Sequence, residues 1–250
     1  MNLIKDLDKY LVYQPKVDLK TLEIIGLEAL IRFLEPRSKE TLNTENIINS
    51  ITDVSELIEL TNEVFDIVIS DMKRLDELNF KTRISINMTA KELCDINLAV
   101  WINEKLKKNK KYINRIEIEI IEKYEVKNEL IMRERINLLR EYGFIVSIDD
   151  LGSGYNQIEM IKNYDVDLIK IDRSMVRNFK SRYEELKYII NISKRSNIKI
   201  LVEGIESEKD LKRFLDLGVE FGQGYYFYKP MRLDEILEKI NLINDIKTKI

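Results

Sequence analysis

Carboxylate, amide and ammonium side chains recur near the ends of short apolar runs in this sequence. They are Asn87, Glu119, Asp149, Asp150, Lys170 and Glu203. Carboxylate and amide oxygens are the ligands that Mg²⁺ and Mn²⁺ prefer, and a lysine adds a compact positive charge. Two such ions would neutralise the acidic groups and allow an anionic phosphodiester to approach. The residue types therefore indicate chemistry that depends on a hard divalent cation.

The chain contains no histidine and only one cysteine in 250 residues. These counts exclude a zinc or haem site built on histidine, a Ser-His-Asp or Cys-His catalytic unit, and an internal disulfide. The cysteine, Cys94, is expected to be a small core residue. Any catalysis must come from carboxylates, amides, hydroxyls, lysine or arginine.

The overall charge is nearly balanced. With 41 Lys and Arg against 44 Asp and Glu, the formal net charge is −3, which argues against a nucleic-acid polymer as partner. No run of about 18 uncharged apolar residues exists, so no membrane span is expected. The charged N-terminal stretch does not resemble a secretory signal, and we expect a cytoplasmic protein.

The elements that must position these side chains alternate along the chain. Strands are predicted over residues 10–19, 24–33, 83–88, 115–121, 144–149, 167–171, 198–203 and 219–228. Helical periodicity is strongest over residues 57–78, 92–106, 129–142, 184–193 and 209–217. This order predicts an α/β fold, a TIM-type (β/α)8 barrel in one domain covering residues 1–250. The short link between the first two strands implies an antiparallel pair, so the barrel is irregular near its start.

Each predicted strand has an isoleucine-rich face and a polar face. In residues 115–121, Ile116, Ile118 and Ile120 oppose Glu117 and Glu119. If the isoleucines pack against outer helices, the polar faces point into the barrel, near the strand ends that carry active sites. One strand-end carboxylate alone is more simply a helix cap or a solvated group. Several together would repel one another unless a cation held them.

Longer motifs surround these residues. Glu28-Ala29-Leu30 lies between Gln14 and Arg32, and further motifs cover residues 86–89, 119–122, 149–155, 168–174, 202–206, 223–225 and 229–230. In order and spacing these motifs resemble those of EAL domains, the phosphodiesterases that open cyclic di-GMP. The resemblance extends from about residue 10 to residue 237. It implies a metal-dependent phosphodiesterase that hydrolyses cyclic di-GMP to linear pGpG by two-metal activation of water.

The resemblance also implies roles for matching residues. Two Mg²⁺ or Mn²⁺ ions would be held by Glu28, Asn87, Glu119, Asp149, Asp150 and Glu203. Lys170 would position or polarise the attacking water. Substrate contacts would come from Gln14, Leu30, Arg32 and Pro230. Glu122 would anchor the glycine-containing loop after the Asp pair, and Glu206 and Gln223 would belong to the metal and water site. The catalytic set is thus Glu28, Glu122, Lys170, Glu203, Glu206 and Gln223.

Residues 35–56 depart from the family pattern and are expected to border the substrate opening. The family also implies a homodimer through outer helices near the Asp-pair loop. Two alternatives to an active enzyme stay open. One is a degenerate, catalytically weak or inactive EAL domain that acts as a cyclic di-GMP receptor. The other is a protein-interaction module that binds no nucleotide.

Overall fold

A computed structural model describes residues 4, 7–95, 97–121, 129–151 and 161–247. Glu122 and residues 152–155 of the 149–155 motif, both singled out by the sequence, lie outside these residues. Within them, no helix is long and apolar enough to cross a membrane.

Eight strands close into a barrel in which each strand pairs with the next in sequence order. They are β1 (Asp8–Asp18), β2 (Ile24–Leu34), β3 (Arg83–Thr89), β4 (Ile116–Ile121), β5 (Ile145–Leu151), β6 (Leu168–Ile171), β7 (Lys199–Val202) and β8 (Phe221–Gly222). β1 runs antiparallel to both neighbours, β2 and β8, and the other pairs are parallel. The predicted barrel, irregular near its start, is confirmed.

Helices lie between and after the strands. Those of the described segments are α1 (Thr44–Ser50), α2 (Val54–Glu77), α3 (Ala90–Leu93), α4 (Leu98–Ile113), α5 (Glu129–Glu141), α6 (Arg173–Arg177), α7 (Tyr183–Arg195), α8 (Glu208–Asp216) and α9 (Leu233–Lys247). The single helix predicted over residues 92–106 is two helices, α3 and α4. Thr89 and Glu92 form a capping box that starts α3, and the Asp95 carboxylate accepts from the Asn97 amide where the chain turns before α4.

The last strand is shorter than the prediction of residues 219–228. After Gly222 the chain passes so close to Ile205 that a Cβ at Gly224 would lie 2.1 Å from the Ile205 carbonyl oxygen. The Tyr226 amide donates to that carbonyl, and the Tyr228 amide donates to the Gly224 carbonyl. These bonds turn the backbone away from the sheet, so the apolar residues that follow do not extend β8.

Two hydrophobic clusters fill the space between strands and helices. The larger one contains the buried isoleucines of β3 and β4 together with Phe65, Val68 and Met72 of α2, and Cys94 packs at its edge. The predicted outward direction of the isoleucine faces is therefore correct. A smaller cluster joins Ile4, Phe33 of β2 and Ile47, Ile51, Leu57 and Leu60 of the α1–α2 region.

Gly224→Ala tests the close approach to Ile205. The added Cβ would meet backbone atoms at 2.1–2.7 Å, which no side-chain rotation can relieve, so we expect the free energy of unfolding to fall by about 1–3 kcal/mol or more. Gly26→Ala on β2 is the control, because its nearest neighbours would lie at 3.6 Å, an ordinary contact. Chemical denaturation measures both, and equal losses would contradict the explanation.

Candidate active site

The inward faces of five strands bring charged side chains together at one end of the barrel. Glu28 lies on β2, Glu119 on β4, Asp149 on β5 and Lys170 on β6, and Glu203 directly follows β7. Parallel strands place their carboxyl ends at the same rim, and the pleat points alternate residues inward. The sequence-predicted cluster therefore forms from residues up to 175 positions apart.

Lys170 lies at the centre of the cluster and is fully buried. Its Nζ lies 2.7 Å from Glu203 Oε1, 2.8 Å from Glu119 Oε2, 3.0 Å from Asp149 Oδ1 and 3.5 Å from Glu28 Oε1. One ammonium thus contacts four carboxylates, and the immediate surroundings keep an excess of negative charge.

The pKa values of the carboxylates reflect this excess. Burial, with the charge of Glu119, raises the pKa of Glu28 to about 7, against the opposing effect of Lys170. Burial also raises the pKa of Asp149 to about 6 and that of Glu203 to about 8. The raised pKa values mean that the ionised forms of these three carboxyl groups are disfavoured near neutral pH. An added cation would stabilise those ionised forms.

Glu119 differs from its neighbours. Burial alone would raise its pKa, but the ammonium groups of Lys16 and Lys170 outweigh burial and hold the pKa well below its usual range. Burial would lower the pKa of Lys170, but the negative charges of the four carboxylates around it outweigh burial and raise that pKa well above its ordinary value. Glu119 and Lys170 therefore form a permanently charged pair in the barrel interior.

Two groups of carboxylates have the spacing of metal ligands. Oxygens of Glu28, Glu119 and Asp149 lie within 4.8 Å of one another, and so do oxygens of Asp149, Asp150 and Glu203. Asp149 belongs to both groups, which is the arrangement expected of a two-metal site that shares one ligand.

The amide of Asn87 fits the same site. Asn87 is opposite Glu119 in the β3–β4 register, and its Oδ1 is buried without a hydrogen-bond partner. A buried acceptor without a donor is costly, and a cation would satisfy it. Oxygen ligands from carboxylates and one amide match the preference of Mg²⁺ and Mn²⁺, so the described residues fit the predicted cofactors.

Gln223 reaches the cluster from the segment after β8. It is buried, and its Nε2 donates to Glu28 Oε2 at 2.7 Å. The other oxygen of Glu28, Oε1, lies 3.5 Å from Lys170 Nζ, so the two oxygens face groups from different parts of the chain. The structure thus brings Gln223 into contact with the cluster, and its role stays a prediction.

A cleft of about 710 Å³ opens above the cluster. Predicted site residues in its wall are Gln14, Glu28, Leu30, Arg32, Asn87, Asp149, Asp150, Glu203, Glu206 and Gln223. Lys170 and Glu119 are fully buried beneath it. Helix α1 contributes Thr44, Glu45 and Ile48 to the wall, so the segment 35–56 does border the opening.

Two predicted residues are not brought to the cluster. Glu206 is exposed at the rim, where Oε1 lies 3.4 Å from Arg177 Nη2. Pro230 is outside the cleft wall and precedes Met231, whose backbone pairs with Tyr13. Their roles, and that of Glu122 outside the described residues, stay predictions.

The sequence analysis missed Lys16. This β1 residue is buried, and its ammonium contacts Glu117 and Glu119 of β4. A signal was present, because Gln14 and Lys16 alternate with the buried Tyr13 and Val17 as the polar faces of other strands do.

The sequence matches the EAL domain family over residues 2–230. The chain belongs to the EAL domain family. This EAL domain is 27% identical over 241 residues to the probable cyclic di-GMP phosphodiesterase PdeN of Escherichia coli, covering 95% of this chain and 46% of that protein. It is 28% identical over 207 residues to the cyclic di-GMP phosphodiesterase PdeA of Borreliella burgdorferi, covering 82% and 31%. It thus spans less than half the length of these relatives.

The barrel of this EAL domain is shared with solved structures. The EAL enzyme Bd1971, in its form with cAMP and cyclic di-GMP bound, superposes with a TM-score of 0.84 at 25% identity. The match covers 96% of this chain and 66% of that chain. The family resemblance carried by the motifs and the TIM-type barrel predicted from the alternation of strands and helices are both confirmed.

Lys170→Met tests the dependence of the EAL barrel on its central ammonium. Removing that charge leaves four buried carboxylates without their shared partner, and we expect the free energy of unfolding to fall by about 3–5 kcal/mol. Lys199→Met is the matched control, since the Lys199–Glu220 pair has a 2.6 Å contact but is exposed, and should cost less than about 1 kcal/mol. Urea denaturation measures both; similar losses would contradict the prediction.

Proposed function

We propose that this EAL domain hydrolyses cyclic di-GMP to linear pGpG with two bound divalent cations, Mg²⁺ or Mn²⁺. The observation that carries the proposal is the pair of carboxylate groups sharing Asp149 around Lys170, at the floor of the cleft. The names of PdeN and PdeA, and cyclic di-GMP bound to Bd1971, support the substrate. The proposal concerns this EAL domain alone, which matches less than half the length of PdeN and PdeA.

The residues that would hold the cations fall into two sets. Glu28, Glu119 and Asp149 form one, with the Asn87 amide as a further ligand, and Asp149, Asp150 and Glu203 form the other. When bound, the cations would supply a hydrolytic nucleophile at neutral pH and neutralise charge that develops on the phosphodiester during in-line displacement.

Lys170 would act on the nucleophile by charge and position. Its ammonium is locked by short contacts from carboxylates on several strands, so it lies in one place without further reorganisation. From that place its positive charge would polarise the attacking water. Gln223 would keep Glu28 aligned through the 2.7 Å hydrogen bond.

The cleft suits a dinucleotide in size and chemistry. Its volume of about 710 Å³ lies within the range of about 300–1,000 Å³ typical of small-molecule sites. Arg32 on β2 offers a planar fork of donors for a phosphate. Gln14 is held in the wall by donating to the Tyr228 carbonyl at 3.1 Å. Arg173 and Tyr225 line the cleft as well.

The degenerate receptor is the main alternative. Degeneration removes metal ligands, whereas all six predicted ligands are present in this sequence. The interaction-module alternative would need no ordered carboxylate cluster. Calorimetry showing tight cyclic di-GMP binding without hydrolysis would favour the receptor, and no nucleotide binding would favour the module. The homodimer and the single domain over residues 1–250 also remain predictions.

The proposal predicts metal-dependent turnover. Purified protein incubated with cyclic di-GMP and Mg²⁺ or Mn²⁺ should release pGpG, measured by chromatography. Ca²⁺ should substitute poorly, because its larger and looser coordination shell would misplace water and phosphate. Well-folded protein with no turnover under either metal would refute the proposal.

Glu28→Ala should abolish this turnover while leaving the fold largely intact, because it removes one ligand from the first carboxylate set. Glu23→Ala, at an exposed carboxylate in the β1–β2 turn, is the control and should keep parental turnover. Circular dichroism and the pGpG assay together separate loss of function from loss of structure. Equal activity of both variants would remove Glu28 from the mechanism.

Asn87→Leu separates stability from metal binding. Because Asn87 Oδ1 is a buried acceptor without a donor, the apolar substitution should leave the free energy of unfolding without added metal within about 1 kcal/mol of the parent, or raise it. The Mn²⁺ concentration for half-maximal turnover should increase, because one ligand is lost. Unchanged Mn²⁺ dependence would show that Asn87 is not a ligand.

A further inference from the structure

A second buried ammonium lies inside the barrel. Lys16 of β1 has 2% of its surface exposed. Its partner in the β1–β2 register is Gly26, and the register shifts between Lys16 and Val17. A Cβ at Gly26 would lie 3.6 Å from Lys16 Cδ, an ordinary contact, so the lysine stem passes directly beside this residue. The Lys16 side chain thus crosses the barrel interior to reach β4.

On β4 the Lys16 ammonium joins two carboxylates. Nζ lies 2.6 Å from Glu119 Oε1 and 3.0 Å from Glu117 Oε1. Glu117 Oε1 also accepts from Ser147 Oγ at 2.7 Å. All four side chains are buried. Of these four residues, Glu119 is the one that also belongs to a carboxylate group with metal-ligand spacing among the described residues.

Glu119 is therefore held from two sides. Oε1 accepts from Lys16, and Oε2 accepts from Lys170, whose ammonium also contacts Glu28 and Asp149 of the first ligand set. A carboxylate fixed through one oxygen cannot rotate, so the other oxygen keeps its direction. Partners that orient a metal ligand in this way commonly set metal affinity as strongly as the ligands do.

We propose that Lys16 is a positioning residue that sets the affinity of the first ligand set for Mg²⁺ or Mn²⁺ by fixing Glu119 through Oε1. The inference rests on the proposed function, because it assumes that Glu119 binds a cation. It differs from a simple counter-ion role. A counter-ion would affect only the stability of the fold, whereas a positioning residue also changes cation binding when the charge balance is kept.

The test uses Lys16→Met/Glu117→Gln, a double substitution that removes one positive and one negative charge. Glu119 then loses its Oε1 partner while the net charge of the barrel interior stays the same. The parent protein is the reference, because its barrel interior has the same net charge as that of the double variant. Glu117→Gln alone, which keeps the Lys16–Glu119 contact, controls for the loss of the Glu117 carboxylate. Mn²⁺ is the probe, with its Kd measured by calorimetry on protein without nucleotide and Tm measured on the same samples.

We expect the double variant to bind Mn²⁺ about 10–100-fold more weakly than the parent protein, the size typical of lost ligand-orienting partners. The Mn²⁺ concentration for half-maximal turnover should rise in parallel, while kcat at saturating Mn²⁺ changes little. Equal Mn²⁺ affinity in the two proteins, with only Tm lowered, would overturn the positioning role.

Lys16→Gln/Glu117→Gln is a milder variant that guards against failure to fold, because it keeps the charge balance and polar side chains at both positions. At position 16 the glutamine amide nitrogen lies one bond nearer the backbone than the lysine ammonium, so it should not reach Glu119, and Mn²⁺ binding should again weaken. Parental Mn²⁺ affinity in this second double variant would overturn the positioning role of Lys16. Parent protein that neither binds Mn²⁺ nor releases pGpG would overturn the proposed function and this inference together.

Discussion

Burying several carboxylates around one ammonium is the constraint on which the rest of this barrel depends. Lys170 contacts four carboxylates, and three of them have pKa values raised by burial. Isolated buried charges cost several kcal/mol each, so the arrangement persists only with close partners and rigid surroundings. The closed sheet supplies that rigidity because every strand is hydrogen-bonded on both sides.

The apolar layer between the sheet and the helices stabilises the fold and so makes a charged barrel interior possible. Isoleucines of β3 and β4 pack outward against α2, and this burial provides the hydrophobic stabilisation that the charged interior cannot. The inward positions are thereby released for carboxylates, an amide and two lysines. Function in this barrel is thus concentrated on one face of each strand and folding stability on the other.

The sequence predicted this division well where alternation is regular. The faces of β3, β4 and β6 follow a period of two, and the positions of Asn87, Glu119 and Lys170 follow from it. The alternation of β5 extends to Asp149, and the register of this strand shifts between Ile148 and Leu151. Lys16 was missed because the faces of β1 were never assigned. Its contact with β4 crosses the barrel interior, which is a property of the folded barrel and not of the strand pattern.

Other differences arise from contacts between distant parts of the chain. Apolar residues after Gly222 have the composition of a strand, but hydrogen bonds to Ile205 turn them away from the sheet. The division between α3 and α4 depends on the capping box and on a side chain that accepts a backbone amide. Glu206 lies in a matching motif, yet its side chain reaches Arg177 at the rim. The spacing of apolar residues along the sequence does not show which of these distant partners a backbone or side-chain group will bind.

The reversed direction of β1 places its first residues at the same end of the barrel as the substrate opening. In a barrel of parallel strands the first strand starts at the end opposite the active site, whereas β1 starts beside the carboxyl end of β2, at the mouth of the cleft. Ile4 packs there with Phe33 and Ile47, in the same small cluster as Leu57 and Leu60 of the cleft wall. The start of β1 and the substrate opening therefore share one apolar cluster, so a substitution that loosens this packing would disturb both.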